Sequence, residues 1–206
     1  MGRPFPVEVG GDTVQMEILR EEAGGQVNIA VEMGTARFGV EAVGGDPGVF
    51  GPSLRLDLPE GGALEVHPMS VGNPHCVSFR AELREDELFH LGPVLSSHRA
   101  FPFGINVQLA HIMGDHEVQI LIWERGVGRT ASSGTSACAV ASAGVNAGFL
   151  QPGRIRVNME GGCFVVTVSE DLAVRLEGPV QPLFSGELTE EFLEGLASGC
   201  SEGRRG

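Results

Sequence analysis

The sequence contains no lysine: all 14 of its basic residues are arginine. A Walker-type phosphate loop, whose lysine reaches the terminal phosphates, is therefore excluded. So is chemistry that needs a lysine Schiff base, including that of pyridoxal phosphate enzymes. Tyrosine is absent too, which removes the phenol as an acid or base. Positive charge is scarce, and a formal net charge of −13 opposes binding to nucleic acid or to anionic membrane surfaces. The four cysteines, Cys76, Cys138, Cys163 and Cys200, stand far apart with no CxxC pair. Neither a zinc site nor a dense disulfide framework is expected from them. No apolar run is long enough to cross a bilayer, and the opening MGRPFPVEVG lacks the charged-then-apolar design of a secretory signal. The expectation is a cytoplasmic protein with free thiols at Cys163 and Cys200, no metal and no covalently held cofactor. Amino-acid chemistry on this chain must run on Cys, His, Asp, Glu or Ser.

What is present points to strands and turns. The length of 206 residues suits one large domain or two small ones sharing a core. With 31 glycines and 12 prolines, turns are frequent and strands should outnumber helices. Short alternating stretches at Val7–Val9, Val14–Leu19 and Gln26–Met33 read as a meander joined by glycine turns. VGGDPGVFGP is a turn-rich loop, and a domain boundary near Phe38 follows from the change of pattern there. Leu54–Leu58 and Ala63–Val66 form a hairpin across PEGG, and a strand at Cys76–Phe79 leaves a Gly-Asn-Pro-His corner. Leu83, Leu88, Leu91 and Leu95 have helical spacing, although Gly92-Pro93 should interrupt or begin a helix. GINVQLAHI and HEVQILIWE pair as strands and deliver Glu124 and Arg125 at their end. A helix of small apolar residues runs from Gly134 to Ala147, with Ser133 or Ser132 as N-cap. Strands follow at Ile155–Met159, Phe164–Ser169 and Ala173–Glu177, then a Thr189-capped helix over Glu190–Ala197 and a frayed tail, SGCSEGRRG. The fold class is α+β: a strand-rich body wrapped around one hydrophobic helix.

Three places could carry chemistry. At the start of the small-residue helix, free backbone N–H groups and the positive end of the dipole would suit a carboxylate, with Ser133, Gly134, Thr135 and Arg125 beside it. These residues alone fit an ordinary capped helix somewhat better. In GNPHC, Asn73 is aimed outward by the following proline, and His75 is a proton-transfer group or equally a structural histidine. Glu124 could pair with His75 or only with Arg125. Asn106 by itself reads as a loop residue.

Taken in order, VGNPHCVSF, GINVQ, ERGVGRTASSGTSACA and GPVQPLFSGEL resemble the diaminopimelate epimerase family. The likeness runs from about VEMGTARF to FSGEL. It implies two pseudo-symmetric halves, each a strand barrel around a central helix, with a cofactor-independent site in the cleft between them. Here it implies one full lobe plus part of a second. Residues 1–37 would be remnant strands of the N-terminal lobe and 38–178 the C-terminal lobe. Residues 179–206 would be a returning strand, short helix and tail. In that family two cysteines, one from each half, invert the α-carbon by removing and returning its proton. By resemblance, Asn73, Asn106, Glu124, Arg125, Gly134 and Thr135 would bind substrate, the last two through backbone N–H groups. Ser133, His75 and Glu124 would be the catalytic set.

Two departures from the family pattern bear on activity. Ser133 stands where the family places its second catalytic cysteine, and Cys138 matches a later, non-catalytic one. A thiol with a pKa of about 8.5 can be lowered to a resting thiolate, whereas an unassisted serine hydroxyl is a poor base for an α-proton. The family's first half, with its GNGAR motif and own cysteine, has no counterpart. Arg129 also replaces a residue that is commonly Glu. The resulting expectation is an impaired epimerase of LL-/meso-diaminopimelate in lysine and peptidoglycan precursor synthesis. A small-molecule amino acid would be its partner, and a homodimer is possible. Its rivals are a one-base dehydratase or isomerase of the same superfamily and a non-catalytic amino-acid-binding or dimerisation module.

Overall fold

The structure is a computed structural model and describes residues 2–9, 11–21, 24–46, 51–59 and 61–199. Alternating side chains and glycine turns build an opening meander: β1 (Phe5–Val9), β2 (Asp12–Glu21) and β3 (Val27–Thr35). A two-residue strand, β4 (Arg37–Phe38), and a 3-10 turn at Glu41–Val43 lead to the hairpin β5 (Leu54–Asp57) and β6 (Ala63–Ser70). Then come β7 (Pro74–Phe79), α1 (Glu85–Ser96), β8 (Asn106–Gly114), β9 (Glu117–Glu124) and β10 (Gly128–Thr130). The last described elements are α2 (Gly134–Asn146), β11 (Gly153–Met159), β12 (Gly162–Val168), β13 (Ala173–Val180) and α3 (Glu190–Gly199). Thr189 caps α3, its hydroxyl accepting from the Phe192 N–H at 3.3 Å. Of the expected frayed tail, residues 200–206 lie outside the described residues, with Cys200 among them. Residues 47–50 of the turn-rich loop do as well.

All strands join one mixed sheet in the order β1-β2-β3-β13-β12-β11-β9-β8-β7-β6-β4, with β10 branching from β9 and β5 from β6. This corrects the expected strand barrel. Closure would need a free edge of β13 to meet β4 or β6. Both of its edges are taken, by β12 on one side and by β3 on the other. At the far end β4 pairs only Arg37 with Ser70 and Phe38 with Met69, too short a strand to continue the ladder. The sheet is therefore open, although β6, β7, β8, β9, β11, β12 and β13 all contact α2.

The alternation of each strand splits the apolar residues between two cores. Val77, Ala110, Ile120 and Ile122 turn towards α2, whose residues from Ser136 to Gly144 are all buried. Cys76, Val107 and Leu109 turn the other way, onto Leu88, Leu91 and Leu95 of α1. Each fully buried leucine there contributes about 1.5–3 kcal/mol. Gly92-Pro93 does not break α1, contrary to the sequence expectation. The Pro93 ring lies on the solvent side, where water can satisfy the carbonyl that loses its N–H partner. Gly92 sits against the indole: a Cβ there would be 2.6 Å from the Trp123 ring. Arg129 ion-pairs with Glu85 at the start of α1 and with Glu160 in the β11–β12 turn. It thereby holds β10 between two distant segments.

Candidate functional site

Strand direction brings the separate motifs to one place. β7 and β8 are parallel, with His75 beside Asn106, so both enter the sheet at the same end. β9 runs antiparallel to β8 and finishes there, delivering Glu124 and Arg125. The β9–β10 hairpin then turns back, with Gly128 opposite Glu124, and passes the chain to Ser133, the N-cap of α2. The Asn73–His75 corner, Asn106 and the helix start thus meet, linked by hydrogen bonds.

The helix start is partly open. Ser133, Gly134 and Thr135 are half-buried, while the next residue, Ser136, is fully buried. Ser133 has extended backbone, and its hydroxyl accepts from the Ser136 N–H at 3.5 Å, a long capping bond. The Gly134 and Thr135 N–H groups find no acceptor among the described residues and lie at the positive end of the helix. A Cβ on Gly134 would lie 2.9 Å from Leu176 Cδ2, so a side chain there would displace the end of that leucine.

Polar side chains surround this opening. Asn73 Nδ2 donates to Thr135 Oγ1 at 3.4 Å, and Asn73 Oδ1 lies 2.9 Å from His75 Nε2. His75 is fully buried, so it meets the opening only through Asn73. Burial lowers its pKa to about 4; the neighbouring Gln108 side chain opposes that shift and the Arg125 charge adds to it. Asn106 uses both ends of its amide internally. Its Nδ2 donates to Pro74 O at 3.2 Å, and its Oδ1 accepts from the Arg125 N–H at 2.9 Å. The exposed Arg125 guanidinium donates to Phe103 O at 2.7 Å and to Gly104 O at 3.4 Å. Glu124 is half-buried, and its carboxylate makes no hydrogen bond or ion pair with His75 or Arg125 among the described residues. Neither pairing weighed for it from the sequence is present.

Two residues missed in the sequence belong to the same cluster. Gln108 and Ser136 are fully buried and bonded to each other, Nε2 to Oγ at 3.0 Å. The signal was available: Gln108 is a polar residue two positions after Asn106 in a strand, hence on the same face. The buried thiols offer no substitute base, because burial pushes Cys76 far up and Cys138 to about 12. A surface concavity of about 660 Å³ lies elsewhere, beside Arg80, Glu87 and His90.

Comparison with known proteins gives this arrangement a context. The family model described as diaminopimelate epimerase matches residues 68–181. The diaminopimelate epimerase of Desulforudis audaxviator is 36% identical over 185 residues, covering 88% of this chain and 64% of that protein. That of Pelotomaculum thermopropionicum is 36% identical over 176 residues, covering 83% and 60%. The chain thus spans less than two thirds of the length of these relatives. Among solved structures, a hydroxyproline epimerase from Agrobacterium vitis superposes with a TM-score of 0.63 at 13% identity, covering 88% of this chain and 58% of that one. A probable proline racemase from Agrobacterium radiobacter K84 gives 0.66 at 15%, covering 93% and 62%. These two share the fold. With a family match across more than half its length and relatives above 30% identity over most of it, the chain belongs to the diaminopimelate epimerase family.

Proposed function

We propose that this chain forms one wall of a diaminopimelate-epimerase-type site and holds the α-carboxylate of an amino acid at the start of α2. The observation that carries this reading is the pair of open amides at Gly134 and Thr135, beside a Thr135 hydroxyl already held by Asn73. The reaction of the site would be cofactor-independent inversion at the α-carbon of LL- or meso-diaminopimelate. A base on one face takes the α-proton and an acid on the other supplies one. Glu124, whose carboxylate has no hydrogen-bond or ion-pair partner among the described residues, would receive the substrate ammonium. Arg125 and Asn106 hold the rim, each tied to neighbouring backbone. Ser133 stands at the reacting position and gives this wall a hydrogen-bond donor but no competent base, so inversion is impaired.

A second reading has its own support. The Ser133 hydroxyl caps α2, accepting from the Ser136 N–H, and among the described residues it has no hydrogen-bond partner that could take its proton. That favours an amino-acid-binding module without turnover.

The test is incubation of the purified chain with meso-diaminopimelate in deuterated water, together with calorimetric titration. Binding with very slow α-proton exchange is expected. Rapid exchange would refute the impaired site, and absence of binding would refute the carboxylate site.

A further inference from the structure

Behind the first turn of α2 lies a row of polar side chains ordered by two strands. Because β7 and β8 are parallel with His75 beside Asn106 and Val77 beside Gln108, alternation turns His75 and Gln108 towards α2. His75, Gln108 and Ser136 are fully buried. Two atoms in this row lack a partner, His75 Nδ1 and Gln108 Oε1, although the Gln108 side chain lies against the imidazole and acts on it. Buried polar atoms are rarely left so in a folded protein.

Hydrogen-bond accounting resolves the pair. Asn73 Oδ1 can only accept, so the imidazole nitrogen 2.9 Å from it, Nε2, carries the ring proton. In a neutral ring Nδ1 is then a bare acceptor, and with Gln108 Nε2 directed at Ser136 Oγ, 3.0 Å away, the glutamine oxygen is left to face it. Two acceptors cannot bond. An amide has two orientations that occupy the same space. In the other one, Gln108 Nε2–H donates to His75 Nδ1, and the Ser136 hydroxyl donates to Gln108 Oε1.

We infer that Ser136, Gln108, His75, Asn73 and Thr135 form one directed hydrogen-bond circuit, in which Gln108 and His75 are positioning residues that hold the Thr135 hydroxyl as a donor towards the guest. The circuit leaves α2 at Ser136 and returns to it at the adjacent Thr135. Asn73 Nδ2–H occupies a lone pair of Thr135 Oγ1 at 3.4 Å, so the hydroxyl hydrogen is directed away from Asn73. Burial keeps His75 neutral, as the circuit requires. The reverse sense, with the proton on His75 Nδ1 and the Asn73 amide turned over, would draw the Thr135 hydrogen inward and present lone pairs, which suit an ammonium. The open helix amides favour an acceptor in front of them and so select the first sense. This direction rests on the carboxylate reading of the site and sharpens its specificity: the position in front of Thr135 accepts a carboxylate and rejects an amine.

Long-range proton–nitrogen NMR of the imidazole rings in the ligand-free protein at neutral pH reads the tautomer, with the His75 signals assigned by their loss in His75→Gln. A proton on Nε2, and an Nδ1 shifted by an accepted hydrogen bond, is the expected result. A proton on Nδ1 would overturn the circuit. In Gln108→Glu the new carboxylate can only accept, so a proton should appear on Nδ1, with a loss of roughly tenfold in affinity for meso-diaminopimelate. A ring still protonated only on Nε2 in that variant would remove Gln108 from the circuit. Should wild-type protein show the expected tautomer yet bind no diaminopimelate, the circuit stands and the carboxylate site falls.

Discussion

Acid should destabilise this protein through His75, and the size of the effect follows from its burial. The imidazole is fully enclosed and its pKa falls from 6.5 to about 4 in the folded chain. Above pH 6.5 the ring is neutral in both folded and unfolded states, and it adds no pH dependence. As the pH falls below 6.5 the unfolded chain takes up a proton that the folded chain refuses, so stability declines until the pH nears 4. At roughly 1.4 kcal/mol for each pH unit, the loss across that window is about 3 kcal/mol. His67 is also lowered, first by burial, and carboxylates add their own slopes, so the contribution must be read as a difference. His75→Gln keeps an N–H for Asn73 Oδ1 but cannot titrate. Urea unfolding at pH 7, 5.5 and 4.5, with wild type and variant side by side, isolates the histidine. The variant is expected to lose much less stability between pH 7 and 4.5 than the wild type does. Equal slopes in the two proteins would refute the reasoning.

Other expectations test packing and chemistry. Gly92→Ala forces a Cβ to within 2.6 Å of the Trp123 ring and should cost about 1–3 kcal/mol, read as a lower thermal midpoint with a changed emission of this single tryptophan. Ser133→Cys should raise α-proton exchange of diaminopimelate if the missing thiol limits turnover; unchanged exchange would move the limitation to the opposite wall. In the native protein Cys163 should react with iodoacetamide while Cys76 and Cys138 stay protected, because Cys76 and Cys138 are buried and Cys163 is only partly so. Early labelling of Cys138, followed by peptide mass spectrometry, would contradict the packing of α2.

Local pattern predicted most elements within a few residues. The small-residue helix begins at Gly134 behind Ser133, as the capping residues indicated, and the β8–β9 pair forms where alternation placed it. Gly92-Pro93 misled because propensity describes an isolated helix. In α1 the glycine is needed for Trp123 to approach, and the proline faces solvent. Arg129, without an interpretation from the sequence, pairs with Glu85 and Glu160, which come from segments far away along the chain.

The sequence by itself determined the period of each segment, the cap of α2, the scarcity of basic groups and the kinship, all of which reside in near neighbours or in motif order. Tertiary structure decided that the sheet stays open, because which strand takes the second edge of β13 depends on pairing between residues more than a hundred positions apart. It also decided that the Asn106 amide is spent on Pro74 and Arg125, and that His75 reaches the helix start only through Asn73. Hydrogen-bond partners are chosen by distance in space, and chain spacing alone does not encode it.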